Sequence, residues 1–189
     1  MFSRSMMRLI LFLSLSSGPT HAIAAKIQAI DLPNQAGPGI LISGTITQGD
    51  ETTFHTLAAT LPRAIVVVMG PGGRVGPALA IGSETHARGW STLVPAGATC
   101  ASACSMIWLA GERRMLAANA QIGFHAMSML QDGRYQETHD ADNVLRNWLT
   151  DLGFAMDATA TIVNTHAASI RWFDAIELRA NGIETESFP

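Results

Sequence analysis

The chain has 189 residues at 20.1 kDa, the size of one domain rather than two, and its 48% hydrophobic against 14% charged residues supplies a sizeable core and excludes a disordered chain. The 12 basic residues face 15 acidic ones for a formal charge of −3, with no basic run to neutralise a row of phosphates, so nucleic acid is not an expected partner. Lys26 is the only lysine and lies near the start, which removes Schiff-base enzymes, Ser-Lys hydrolases and phosphate loops ending in Gly-Lys-Ser/Thr.

The first segment reads as a leader. Arg4 and Arg8 precede an apolar stretch over 9–15, followed by Ser16, Ser17, Gly18 and Pro19 and the small-residue pattern Ala22-Ile23-Ala24. The apolar run is much shorter than the ~20 residues that span a bilayer, and no later run reaches that length. A secretory signal over 1–24 and a mature domain over 25–189 are expected. Losing Arg4 and Arg8 leaves ten basic residues against the 15 acidic ones, a formal charge of −5. The expected product is an exported, periplasmic domain without a membrane span.

Residues 39–48 alternate apolar and polar up to the turn-prone Gly49-Asp50, which predicts a strand, with Asp50 capping a helix over 53–61 that Pro62 ends. The β-branched run at 64–69 predicts a central parallel strand buried on both faces. A glycine turn at 70–73 and a helix over 75–88 follow. Further on, the pattern predicts a strand at 91–95, a small-residue helix at 101–110, and strands at 114–118 and 121–125. A polar surface excursion at 131–142 then leads to helices at 143–152, 157–167 and 174–180, the last capped by Asp174. Alternating strands and helices imply an α/β single domain with a mostly parallel sheet, whose ligands gather at the carboxyl ends of the strands.

Three polar clusters fall at those ends. The glycine turn at 70–73 exposes backbone N–H groups suited to an oxyanion, although a turn needing positive φ explains glycines equally well. Gly70, Gly72 and Val75 break the dinucleotide pattern at its third glycine, so nucleotide binding is not expected. Ser102, at the start of the small-residue helix, is a candidate nucleophile, against the ordinary role of a helix-capping serine. His125, at a strand end, is a candidate base, against a structural histidine. Ser105, one turn further on, is the rival nucleophile. Cys100 and Cys104 in an oxidising compartment suit a disulfide, since residues four apart on a helix have Cα atoms ~6 Å apart, and two buried thiols are the alternative. His139, Asp140 and Asp142 fit a solvated loop better than a metal site.

GPGG before a helix, then CASACSMIWLAG, then QIGFH, resembles the Clp protease proteolytic subunit and its exported relatives in the Clp/crotonase superfamily. The likeness runs over roughly 39–184 and implies a ββα superhelix. It implies Ser102 as nucleophile, His125 as base, and Gly72, Gly73 and the N–H of Ala103 as oxyanion donors. Gly70 stands where the family has the serine of SPGG. The family's acid position falls near Ile170, which is no carboxylate; Asp174 and Asn164 are the alternatives for a third member, with Asp157 weaker. The expectation is an exported, ATP-independent serine hydrolase, a peptidase working through a Ser-His dyad on peptide or protein substrates. It would need no cofactor, metal or ATPase partner, and would form a homo-oligomer through 127–142. A non-catalytic Clp-like binding or assembly protein and a crotonase-like acyl-CoA enzyme are the alternatives.

Overall fold

The computed structural model describes residues 24–33, 37–131, 134–137, 139–166 and 168–189. The alternating stretch forms β2 (Gly37–Ile46), paired antiparallel with an unanticipated β1 (Lys26–Leu32) and parallel with β3 (Ile65–Gly73) through the helix α1 (Asp50–Ala58). Asp50 does not cap α1. It is the first helical residue after Gly49, and its carboxylate instead accepts from the N–H of Thr47 at 2.7 Å, bracing the turn before the helix.

β3 is the centre of the sheet. Val66 and Val68 are wholly buried and Val67 nearly so, which is the double burial that a β-branched run favours. The first half of β3 pairs with β4 (Ser91–Val94), in the register Ile65↔Ser91 to Val67↔Leu93, and its second half pairs with β5 (Thr99–Ala101) at Gly70↔Cys100. One strand therefore feeds two limbs of a curled, mostly parallel sheet. The first limb continues to β6 (Arg114–Leu116) and β11 (Glu186–Ser187), the second to β7 (Gln121–Phe124) and β10 (Arg171–Phe173). The branch follows from Pro95, which closes β4, and Gly97 at φ 69°, which turns the chain into β5. Among the described strands of this sheet, only β1 and β10 run antiparallel to their neighbours.

The glycine run is not a separate turn. It continues β3 with Gly70, Gly72 and Gly73 at positive φ, and β2 follows it with a register shift between Ser43 and Thr45. Glycine is required there sterically: a Cβ at Gly70 would sit 2.4 Å from the carbonyl oxygen of Gly44.

α3 (Ala103–Leu109) packs on β3, α2 (Val75–Ala87) packs on α3 and on α1, and all seven residues of α3 are buried. Trp108, fully buried, ties α3 to β6 by donating its indole N–H to the carbonyl of Met115 at 3.1 Å. The expected excursion is a hairpin, β8 (Ser128–Gln131) with β9 (Arg134–Glu137), followed at once by α4 (His139–Asp151). Trp148 of α4 lies over Gly82 of α2, where a Cβ would come within 2.9 Å of its ring. α5 (Met156–Val163) and α6 (Ala175–Ala180) complete the domain. Among the described residues no helix is long and apolar enough to cross a membrane.

Candidate active site

The helix expected from 101 begins at Ala103, because Ser102 is not helical. It holds φ 56° and ψ −128° between β5 and α3, one of two non-glycine residues with positive φ among the described residues, a conformation that costs about 1–3 kcal/mol and persists only where the surroundings enforce it. Three contacts enforce it. The N–H of Ser102 donates to the carbonyl of Gly123 at 2.9 Å, and the Ser102 carbonyl accepts from the N–H of Ser105 at 2.9 Å and from its hydroxyl at 2.6 Å. Cys100 and Cys104 form a disulfide, Cα atoms 5.3 Å apart, that ties the last turn of strand to the first turn of helix with Ser102 at the apex. Both cysteines are buried.

This geometry separates the two serines. Ser105 has no exposed surface and its hydroxyl is committed to the Ser102 carbonyl. Ser102 is partly exposed, and its hydroxyl has no hydrogen-bond partner among the described residues.

Gly72 packs directly against the elbow. With φ 99°, a Cβ there would lie 2.6 Å from the carbonyl oxygen of Ala101, 2.7 Å from the Cβ of Ser102 and 2.8 Å from the nitrogen of Ala103. The main chain of β3 thus runs beside the serine and beside the first N–H of α3, a group without an intrahelical acceptor. Gly73 is held from the other side, in register with Ile46.

His125 follows β7, which is parallel to β5 with Thr99↔Gln121 and Ala101↔Gly123 in register, so serine and histidine leave adjacent strands at their carboxyl ends. Nδ1 of His125 is 2.7 Å from the carbonyl oxygen of Ala126. A carbonyl can only accept, so Nδ1 carries the hydrogen, and in the neutral ring the lone pair is on Nε2. Ala126 is also held on its amino side, its N–H donating to the carbonyl of Thr165. No side-chain pattern marks a backbone acceptor of this kind, and nothing in the sequence singled out Ala126.

The candidates for a third member are placed apart. Arg171↔Phe124 and Trp172↔Gly123 are in register on antiparallel β10, so the next position, Ile170, comes opposite His125. Its Cγ2 lies 2.6 Å from where a Cβ of Gly123 would be, which puts Ile170, Trp172 and His125 over one face of the sheet. Asp174 is at the other end of that ladder, about four residues and roughly 13 Å from His125. Its Oδ1 accepts from the N–H groups of Ile176 and Glu177, both at 2.8 Å, in a capping box with Glu177. Asn164 ends α5 and accepts from Arg146 at 3.3 Å, next to Thr165 but turned to α4. Asp157 accepts from the N–H of Ala158 at the start of α5. The side chain of His139 lies outside the described residues, and no group of three metal-ligating side chains occurs among the described ones.

The architecture is a Clp/crotonase-like fold. Solved structures that share it include the 1510-N membrane-bound stomatin-specific protease in complex with a substrate peptide, with 19% identity over 78% of this chain and 72% of that one at a TM-score of 0.57. ClpP1 from Listeria monocytogenes has 18% identity over 78% of this chain and 90% of its own at a TM-score of 0.60. The ClpP protease catalytic domain from Plasmodium falciparum has 16% identity over 79% and 83% at a TM-score of 0.58. No protein-family model matches the sequence, and no curated protein matches it significantly.

Proposed function

We propose that the chain is an exported, ATP-independent serine hydrolase acting on peptides, with Ser102 as nucleophile and His125 as general base. The observation that carries the reading is the enforced positive φ of Ser102 between strand and helix, with the Gly72 main chain against it and His125 on the adjacent strand end. Nε2 takes the hydroxyl proton as Oγ attacks a carbonyl carbon, and the N–H groups of Gly72 or Gly73 and of Ala103 receive the developing oxyanion. Nε2 then returns the proton to the leaving amine, and water repeats the sequence to release the acyl group. Hydroxyl and imidazole are not hydrogen-bonded in this conformation; such contacts commonly tighten only around substrate. The likeness of the fold to that of proteases supports the peptidase class.

A fluorophosphonate probe tests this. Wild type and Ser105→Ala label, Ser102→Ala and His125→Ala do not, and all retain their circular dichroism. Equal labelling of wild type and Ser102→Ala removes the nucleophile. Absence of labelling in every form favours the non-catalytic Clp-like binding protein, the reading to which Ile170 in place of an acid lends weight.

A further inference from the structure

Asp50 is the one charged residue in the buried set of described residues, 5% exposed, and no ion pair is formed with it there. Its Oδ2 accepts from the N–H of Thr47 at 2.7 Å, from the Thr47 hydroxyl at 3.3 Å and from the nitrogen of Ala25 at 3.4 Å. A buried carboxylate is costly without a cation, and a long contact to a neutral amide does little to offset it. Ala25 is also the residue that the leader pattern Ala22-Ile23-Ala24 places first after cleavage, and Ala24 is exposed.

We propose that cleavage after Ala24 creates the missing counter-ion: the α-ammonium of Ala25 pairs with the Asp50 carboxylate and locks the mature fold. A leader-cleaving peptidase adds water across the Ala24–Ala25 bond. Ala24 leaves as a carboxylate, and the freed nitrogen of Ala25 is protonated, since an α-amine titrates near ~8. The donor changes from one neutral N–H to a cation with three, at a position already within reach of Oδ2.

The lock bears on the candidate site through one short path. Asp50 holds Thr47, the neighbour of Ile46, and the Ile46 carbonyl accepts from the N–H of Arg74 at 2.9 Å, while Ile46 itself is in register with Gly73. Clamping Thr47 therefore steadies the strand end against which the glycine run lies. The proposal rests on the export reading but not on the hydrolase chemistry, and its readouts are independent of serine reactivity.

The experiment compares a chain that begins at Ala25 with a free amine and one carrying Gly-Ser ahead of Ala25, each with Asp50 and with Asp50→Asn. The free-amine chain melts at least about 3 °C above the extended one, and Asp50→Asn abolishes the difference. With Asp50 intact, an amine-reactive reagent at neutral pH labels the Ala25 nitrogen at least tenfold more slowly in the folded than in the urea-unfolded chain, a comparison that holds even where Asp50→Asn does not fold. Equal melting temperatures, a difference that survives Asp50→Asn, or equal labelling overturns the ion pair. N-terminal sequencing of exported protein gives Ala25 first; any other start overturns the proposal and leaves the Ser102 labelling result standing.

Discussion

The imidazole of His125 is oriented by the carbonyl of the very next residue, Ala126, at 2.7 Å, while the residue that extends the β10 register opposite it, just before the strand, is Ile170. A neutral carbonyl can fix the tautomer of a histidine, but it stabilises an imidazolium far less than a carboxylate does. As the proposed base, His125 is therefore correctly turned and weakly supported.

A carboxylate at position 170 should change that. Cross-strand neighbours on one face have Cβ atoms ~4.5–5.5 Å apart, so an Asp there can reach Nδ1 of His125. Ile170→Asp is expected to raise the rate of probe labelling tenfold or more at neutral pH, and Ile170→Asn markedly less. Ile170 is 41% exposed, so the fold should tolerate either change. A labelling rate unchanged or lowered in Ile170→Asp, with His125 still needed, would show that Ala126 suffices or that the strand register differs.

What the sequence made legible follows from how far each signal travels. The β-branched run of β3, the helix ending at Gly89 and the Asp174 cap are written in adjacent residues, and all stand in the structure. β5 and β10 have three residues each, too few to show a period, and exist because strands distant in sequence supply their hydrogen bonds. The glycines at 70–73 were legible as unusual backbone but not as strand, since their need for glycine comes from Gly44, Ile46 and Ala101, distant in sequence. The neighbourhood of Ser102 and His125 was anticipated through three ordered motifs. The Ala126 carbonyl was not, because a backbone acceptor leaves no mark in side-chain identity.

The Gly72 contact gives a sharper test of the oxyanion arrangement. Gly72→Ala places a methyl 2.7 Å from the Cβ of Ser102 and 2.6 Å from the carbonyl of Ala101, both inside contact distance, and forces an L residue to φ 99°. Probe labelling should fall at least about a hundredfold, the scale for an ångström-level displacement or a lost oxyanion donor. Gly76→Ala is the control. A Cβ there meets nothing within 4 Å, and in the first turn of α2 alanine should be neutral or add about 0.5 kcal/mol. Equal labelling of both variants would remove Gly72 from the site.

Self-association is expected of the mature chain. Met156 at 89% and Ile176 at 71% exposure are large apolar side chains open to solvent, in addition to Trp172 on the outer strand β10 and Ile170 just before it. With the segment 127–142 as the proposed contact, light scattering should give a mass of at least twice the single chain. A single-chain mass across a hundredfold range of concentration would defeat this.

The disulfide spanning Ser102 should matter more for rate than for stability. It closes a loop of only four residues' separation, for which the chain-entropy contribution is on the order of 2 kcal/mol, against ~3 kcal/mol for a 15-residue loop. Its local effect is different in kind. Ser102 keeps its positive φ only while β5 and α3 are held at this angle, and the Cys100–Cys104 bridge adds a second covalent tie to the main chain that joins them through Ser102. The remaining restraints, Ser102 N–H to Gly123 and Ser105 to the Ser102 carbonyl, stay with the helix or the strand and can relax separately. The paired substitution Cys100→Ala, Cys104→Ala is therefore expected to lower probe labelling at least tenfold while the melting temperature falls by only a few degrees. Reduction of the wild type should do the same, and reoxidation should restore the rate. Alkylation without reductant followed by mass spectrometry checks the premise on exported protein: two modified thiols would show that no bridge forms, and an unchanged labelling rate in the double variant would reduce the disulfide to packing.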